Sequence, residues 1–258
     1  MNMPIRFTPA VKSLAIACFV VFVIQQTVDQ FFGGNFVGTF GLVPASFINN
    51  FHFWQIFTFS FLHQDVIHLF FNLMMLVFIG AELEATWGTA RFLRFYVICT
   101  VAGGLAYLLL QLVAKGVGMY TPMVGASAGI YGLLAAYGLI FGERVMLFMM
   151  LFPMKAKHFV WILAGIEFLT SIFSGRGGLV SIAHLGGMAA GYAYLWGRAT
   201  WVVLSKQKEI SRDLTQRAKR VKGSKHLKLV KGKSDGDQSG GPQGGDGDGS
   251  QSDPRTWH

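Results

Sequence analysis

Six runs of this chain are almost free of Asp, Glu, Lys and Arg: Ser13–Val28, Val66–Ala81, Phe95–Ala114, a run within Gly116–Gly142, Phe159–Ser174 and Gly177–Gly197. Glu167 is the one charged residue inside them, and the second run can continue past Glu82 to Leu83. A helix that crosses a bilayer needs about 20 predominantly apolar residues, because its backbone must satisfy its own hydrogen bonds there. The runs therefore predict an all-α membrane protein with six spans. Composition agrees, with 52% hydrophobic residues and 14% charged, against roughly 25% charged in soluble proteins. A soluble enzyme or a nucleic-acid module is excluded. Cys18 and Cys99 lie in apolar runs and are expected to be buried thiols, not a disulfide framework.

Two apolar segments do not fit the count. Phe31–Leu62 carries Gly33, Gly34, Gly38, Gly41 and Pro44, then an aromatic block from Phe51 to Phe61. It is too broken for a span and reads as a structured insertion at the interface, with Phe53 and Trp54 at headgroup level. Val145–Met154, ending at Pro153, is too short to cross and reads as a core or interfacial segment. The first run follows Arg6 and Lys12, but Gln25, Gln26 and Asp29 come after it without a small-x-small cleavage site. It reads as a signal anchor, not a cleavable signal peptide.

Lys and Arg in short connections set orientation. One side collects Arg6, Lys12, Arg91, Arg94, Arg144, Lys155, Lys157 and the tail from Arg198; the other has Lys115 and Arg176. Both termini are expected in the cytoplasm. Of the net charge of +9, residues 1–204 carry +4 and the shorter remainder +5. The basic balance is thus a tail property and does not point to nucleic acid. The expected domains are a membrane domain at 1–204, a basic cytoplasmic segment at 205–233 and a Gly/Ser/Asp-rich tail at 234–258 expected to be disordered. Lys206–Lys233 reads as a short helix near anionic headgroups.

Polar groups inside spans are costly and usually mark function. His68 and Asn72 lie in the second run, Ser127 in the fourth and His184 in the sixth. At about 1.5 Å per residue, Asn72, Ser127 and His184 lie roughly 8–10 Å past Asp65, Pro122 and Gly178, on three spans that run the same way. Helix glue scattered at random would not share one depth. Ser127 follows a turn through Pro122 and sits among Gly125, Ala126, Ala128 and Gly129. A helix beginning near it would turn its amide into a free first-turn donor. His68 and Asn72, four apart, share a helix face. Ser127 with His184 makes a nucleophile–base pair, and Tyr131, four past Ser127, can pack against the imidazole. No acid falls at a matching depth; Glu167 can approach, but no spacing places it beside His184, so a dyad is the economical reading. Gly125/Gly129, Gly138/Gly142 and Gly187/Gly191 are Gly-xxx-Gly spacings that let helices approach closely.

These residues resemble a family. Gly125-Ala126-Ser127-Ala128-Gly129-Ile130-Tyr131-Gly132 resembles the Gly-x-Ser-x signature of rhomboid intramembrane serine proteases, and Ala183-His184-Leu185-Gly186-Gly187-Met188-Ala189-Ala190-Gly191 resembles their histidine motif. His63 followed by His68-x-x-x-Asn72 is similar to their second-span motif, and Glu82, Glu84, Gly88, Arg91 and Phe92 to the stretch that closes it. The likeness covers residues 10–200. It implies a six-transmembrane-helix rhomboid-like bundle with an interfacial loop between the first two helices, and a Ser127–His184 dyad. It also implies an oxyanion hole from Asn72, His68 and the Ser127 amide, with Tyr131, Gly125, Gly187 and Gly191 in support. Ala128 stands where many members have Gly, and Trp54-Gln55 where some have Trp-Arg; neither change removes a catalytic group. The implied activity is serine endopeptidase cleavage of membrane-protein substrates in or next to their helices, without cofactor, metal or nucleic acid, in a bacterial inner membrane. A non-proteolytic rhomboid-fold binder or chaperone of membrane helices is the alternative, and a transporter the third reading.

Overall fold

The computed structural model describes residues 7–113, 118–148 and 152–224. The expected disordered tail at 234–258, and the end of the basic segment, lie outside these residues. The chain divides into two units, Met1–Ser205 and Lys206–His258. In the second, the described residues are helical and exposed through Arg220, with Arg217 paired to Asp213 at 3.0 Å one helical turn away.

The first unit is a helical bundle. Its elements are α1 (Pro9–Phe31), three short helices α2 (Phe36–Phe40), α3 (Pro44–Asn49) and α4 (Gln55–Thr58), a 3₁₀ turn at Phe59–Phe61, α5 (Val66–Met75) and α6 (Ala81–Trp87). α7 (Thr89–Val113), α8 (Ser127–Ile140), the strands β1 (Val145–Phe148) and β2 (Phe152–Lys155), α9 (Ala156–Phe173) and the part of α10 (Gly175–Ser224) up to Ser205 follow. A π turn at Leu76–Gly80 joins α5 to α6, so the two form one rod over Val66–Trp87. Among the described residues four helices are long and apolar enough to cross a membrane: α1, the α5–α6 rod, α7 and α9. α1 and α9 turn large apolar side chains outward, among them Ile16, Phe19, Trp161, Ile166, Leu169 and Ile172, as lipid-facing helices do.

α8 is shorter than the run in which the fourth span was expected. Its 14 residues reach about 21 Å at 1.5 Å each, short of a hydrocarbon core of about 30 Å. It is buried along most of its length, from Ala128 to Tyr137. The non-helical lead into it is buried too, at Met123, Val124, Gly125 and Ala126. Buried irregular backbone needs partners inside the protein, and here the Phe31–Leu62 insertion supplies them. Leu42 and Met123 exchange both backbone hydrogen bonds at 2.9 Å, and the Gly125 amide donates to the Phe59 carbonyl at 2.9 Å.

Buried glutamines hold that insertion. Gln55 accepts from the Val43 amide and donates to the Gly38 and Thr39 carbonyls, while Gln25 of α1 donates to the His63 carbonyl and accepts from its amide. Each replaces hydrogen bonds that irregular backbone would otherwise lack. At the other end, Glu84 reaches from α6 to the start of α1. Its two oxygens accept from the Ala10 and Val11 amides at 2.9 and 3.0 Å, and the Thr89 hydroxyl donates to Oε1 at 2.6 Å. A carboxylate there satisfies orphan first-turn donors and meets the positive end of the helix dipole.

The described residues of Val145–Met154, the segment expected as core or interface, form the two paired strands of a β-hairpin. Val145 pairs with Lys155 and Phe148 with Phe152 in antiparallel register. It is too short for a span, and pairing two strands satisfies its backbone locally. Lys155 and Lys157 both pair with Glu143 beside the hairpin, and Arg144 pairs with Glu82 of α6. Cys18 and Cys99 are free and buried.

Candidate active site

α8 begins at Ser127, preceded by Gly125 at φ +121°. That backbone conformation is one L side chains rarely adopt, and it turns the chain sharply into the helix. Ser127 is thus the first helical residue, and its amide belongs to the first-turn donors. The neighbouring helices approach through residues with little or no side chain. A Cβ on Gly103 of α7 would lie 2.6 Å from both Ala128 Cβ and the Ala183 carbonyl oxygen. On Gly187 of α10 it would lie 2.1 Å from the Ala128 carbonyl oxygen, and on Gly191 3.0 Å from that of Gly132. α7, α8 and α10 therefore meet backbone to backbone, next to Ser127 on one side and His184 on the other.

That contact brings the two side chains together. His184 Nε2 lies 2.7 Å from Ser127 Oγ, both half-buried. Tyr131, one turn along α8, stacks flat on the imidazole, with ring centroids 4.4 Å apart and planes 5° from parallel. Serine as nucleophile requires Nε2 to accept its proton, which leaves the ring's own hydrogen on Nδ1.

The other two polar candidates lie on α5. Asp65 caps this helix, accepting from the His68 amide at 2.7 Å, as an aspartate before an apolar run does. His68 Nε2 faces Gly125: the point a Gly125 Cβ would occupy is 2.9 Å from it and 3.5 Å from Ser127 Oγ. The glycine thus leaves a small space with an imidazole on one side and the hydroxyl on the other. Asn72 is buried, and its Nδ2 donates to the His68 carbonyl one turn back at 2.9 Å, which leaves one amide hydrogen free. Its shared face with His68 is thus spent in part on its own helix. In the loop before α5, burial and the neighbouring His68 push His63 down to about 4, so it packs as a neutral ring edge-on to His68.

The sequence placed no acid beside His184, and the structure does. Glu167 Oε1 lies 3.0 Å from His184 Nδ1, at ion-pair distance though off the line of a good hydrogen bond, and accepts from the Tyr131 hydroxyl at 2.5 Å. The lone charge in the fifth run was the signal; its direction around α9 was not legible.

A family model of the rhomboid domain matches residues 50–201. The chain is 27% identical to Rhomboid-like protease 3 of Toxoplasma gondii, over 49% of either chain. It is 28% identical to the mitochondrial Rhomboid protein 1 of Saccharomyces cerevisiae, over 58% of this chain and 43% of the yeast protein. To Rhomboid protease GluP of Bacillus subtilis the identity is 26%, over 59% of this chain and 27% of that one. The aligned regions thus span half or less of these relatives' own lengths. The matched region holds α5 to α9 and the part of α10 that carries His184, so the serine, the histidine and the helices that join them fall within one family domain: this chain is an integral membrane protein of the rhomboid family.

Proposed function

We propose that the protein is an intramembrane serine endopeptidase, with Ser127 as nucleophile and His184 as general base. The observation that carries this reading is the 2.7 Å contact between Ser127 Oγ and His184 Nε2, made at the first residue of a buried helix. The imidazole takes the hydroxyl proton as Oγ attacks the scissile carbonyl, then returns it to the leaving amine. We assign stabilisation of the negative oxygen that develops to the Ser127 amide, His68 and Asn72, with His68 Nε2 facing the space beside Ser127 that Gly125 leaves. Relatives named as proteases in a bacterium and an apicomplexan support the same activity.

The substrate is a membrane protein whose helix unwinds near the outer face, since a helical peptide bond is shielded by its own hydrogen bonds. By family analogy, small residues flank the scissile bond. We assign six spans, α8 and the start of α10 completing the four long ones, with both termini cytoplasmic. We also assign a bacterial inner membrane, a membrane domain at 1–204 and cytoplasmic segments at 205–233 and 234–258.

The test uses the full chain in detergent with a single-span fluorogenic substrate. Wild type should cleave, and Ser127→Ala and His184→Ala should not, while all three keep the same melting temperature. A fluorophosphonate should label wild type and spare Ser127→Ala. Cleavage by Ser127→Ala at the wild-type rate would overturn the assignment. Substrate binding without cleavage by wild type would make the protein a rhomboid-fold binder of membrane helices.

A further inference from the structure

We propose that Glu167 of α9 is a positioning residue that holds His184 in the tautomer and orientation its role as base requires. The inference rests on the Ser127–His184 reading and extends it from a dyad to a serine–histidine–glutamate array.

Three observations carry it. First, Glu167 is the single carboxylate inside the six apolar runs, and an ionisable group in such a position is expensive unless it has partners. Its helix otherwise faces outward: Ile166, Phe168 and Leu169 are exposed, whereas the Glu167 side chain is only 13% exposed. α9 thus turns its carboxylate into the protein. Second, the carboxylate converges on the catalytic imidazole. Oε1 lies 3.0 Å from Nδ1, the ring atom opposite the one that meets Ser127. Third, the carboxylate is itself fixed. The Tyr131 hydroxyl donates to Oε1, and Ser181 of α10, one turn before His184, is a further polar neighbour. Tyr131 therefore acts twice, lying flat on the imidazole and anchoring the acid at its edge.

The chemical consequence is direct. With the carboxylate facing Nδ1, the ring hydrogen stays on Nδ1 and the Nε2 lone pair is left for Ser127. When Oγ bonds to the carbonyl carbon, the Oγ proton moves to Nε2 and the carbonyl π pair moves onto oxygen. The imidazolium so formed carries its positive charge 3.0 Å from Oε1. Glu167 remains ionised throughout, and the proton on Nε2 leaves with the amine. The groups around this pair are Ser127 and Tyr131 from α8, Ser181 and His184 from α10, and His68 from α5. Among them Glu167 alone bears a negative charge.

The test compares wild type, Glu167→Gln, Glu167→Asp, Tyr131→Phe and Ser127→Ala as full chains in detergent. In soluble triads, an amide in place of the buried acid stabilises the wrong imidazole tautomer and costs about 10⁴ in kcat. The off-line geometry here makes the expected loss smaller, about 10²-fold in kcat for Glu167→Gln with KM unchanged. The rate of fluorophosphonate labelling should fall in parallel. Glu167→Asp should recover part of the loss, and Tyr131→Phe should lose about 3–10-fold. Nitrogen-15 histidine spectra should show His184 with hydrogen on Nδ1 in wild type and on Nε2 in Glu167→Gln. A merely structural acid would instead lower the melting temperature and leave kcat per folded molecule and the tautomer unchanged; that result would overturn the proposal. If wild type neither cleaves nor takes up the fluorophosphonate, the protease reading falls, and the spectra still decide whether Glu167 sets the tautomer. An unchanged His184 signal in Glu167→Gln refutes the proposal whatever the activity.

Discussion

Gly187→Ala is the most severe single-methyl test of how the site is assembled. The added Cβ would lie 2.1 Å from the Ala128 carbonyl oxygen and 2.9 Å from its carbon. Both are backbone atoms, so no side-chain rotation relieves the clash. Restoring an ordinary contact requires α8 and α10 to separate by roughly 1 Å, and overpacking of this kind costs about 1–3 kcal/mol. Ser127 precedes Ala128 and His184 lies one turn before Gly187, so the separation falls directly on the 2.7 Å contact between Oγ and Nε2. A misplacement of about 1 Å at a catalytic pair is associated with a loss on the order of 10²-fold. We therefore expect Gly187→Ala to lose about 10²-fold in kcat and several degrees in melting temperature. Gly191→Ala, whose Cβ would meet the Gly132 carbonyl oxygen at 3.0 Å and Phe95 at 3.1 Å, should lose less. Gly165→Ala on α9 is the control. Nothing lies within 4 Å of that Cβ, so helix propensity alone acts, and the protein should be neutral or more stable by about 0.5–1 kcal/mol. The assay is single-turnover cleavage in detergent alongside thermal unfolding. A folded Gly187→Ala protein with wild-type kcat would refute the claim that this backbone contact sets the catalytic distance.

Other outcomes follow from the same geometry. Asn72→Ala should lower kcat about 10–100-fold with little change in KM, the pattern of an interaction made mainly in the transition state; a lower melting temperature with unchanged kcat would remove Asn72 from the site. His68→Ala should behave alike, and the double variant should lose less than the product of the two, because both donors would serve one oxygen. Glu84→Gln keeps the shape but weakens charged hydrogen bonds to the Ala10 and Val11 amides, and should destabilise by about 1–3 kcal/mol in chemical or thermal unfolding without altering KM. Hydrogen bonds and charge from Lys155 and Lys157 hold Glu143 at about 2, below its ordinary 4.5. This pairing is fully present above pH 4.5 and is lost as pH falls toward 2. Exchange of the β1–β2 amides, corrected for intrinsic rate, should accelerate over that window, and Glu143→Gln should remove the dependence.

What the sequence determined by itself is what local composition and spacing encode. Apolar runs marked the membrane class and the long helices, since a helix in lipid must be apolar on every exposed face. Pro122 marked a turn before a helix beginning near Ser127, because turns are read over a few residues, whereas the cap that Asp65 places on α5 came from the structure. The polar outliers His68, Asn72, Ser127 and His184 stood out against that background, and the structure brings the serine and the histidine to 2.7 Å. Tertiary structure decided the rest. Apolar helices with little difference between their faces carry no sign of which side turns inward, so the direction of Glu167 toward His184 waited on the packing of α9. Asn72 lies one turn from His68 in sequence, yet its bond to the His68 carbonyl depends on a side-chain conformation that spacing does not specify. α8 ends short of a full span because the Phe31–Leu62 insertion satisfies the backbone ahead of it, a partnership across more than sixty residues. The cap that Glu84 places on α1 spans a similar distance, and the pairing of β1 with β2 falls in an apolar stretch too short to cross. The Glu84 cap and the contacts of the Phe31–Leu62 insertion join groups far apart in the chain, and glycines such as Gly103 and Gly187 let the helix backbones approach closely.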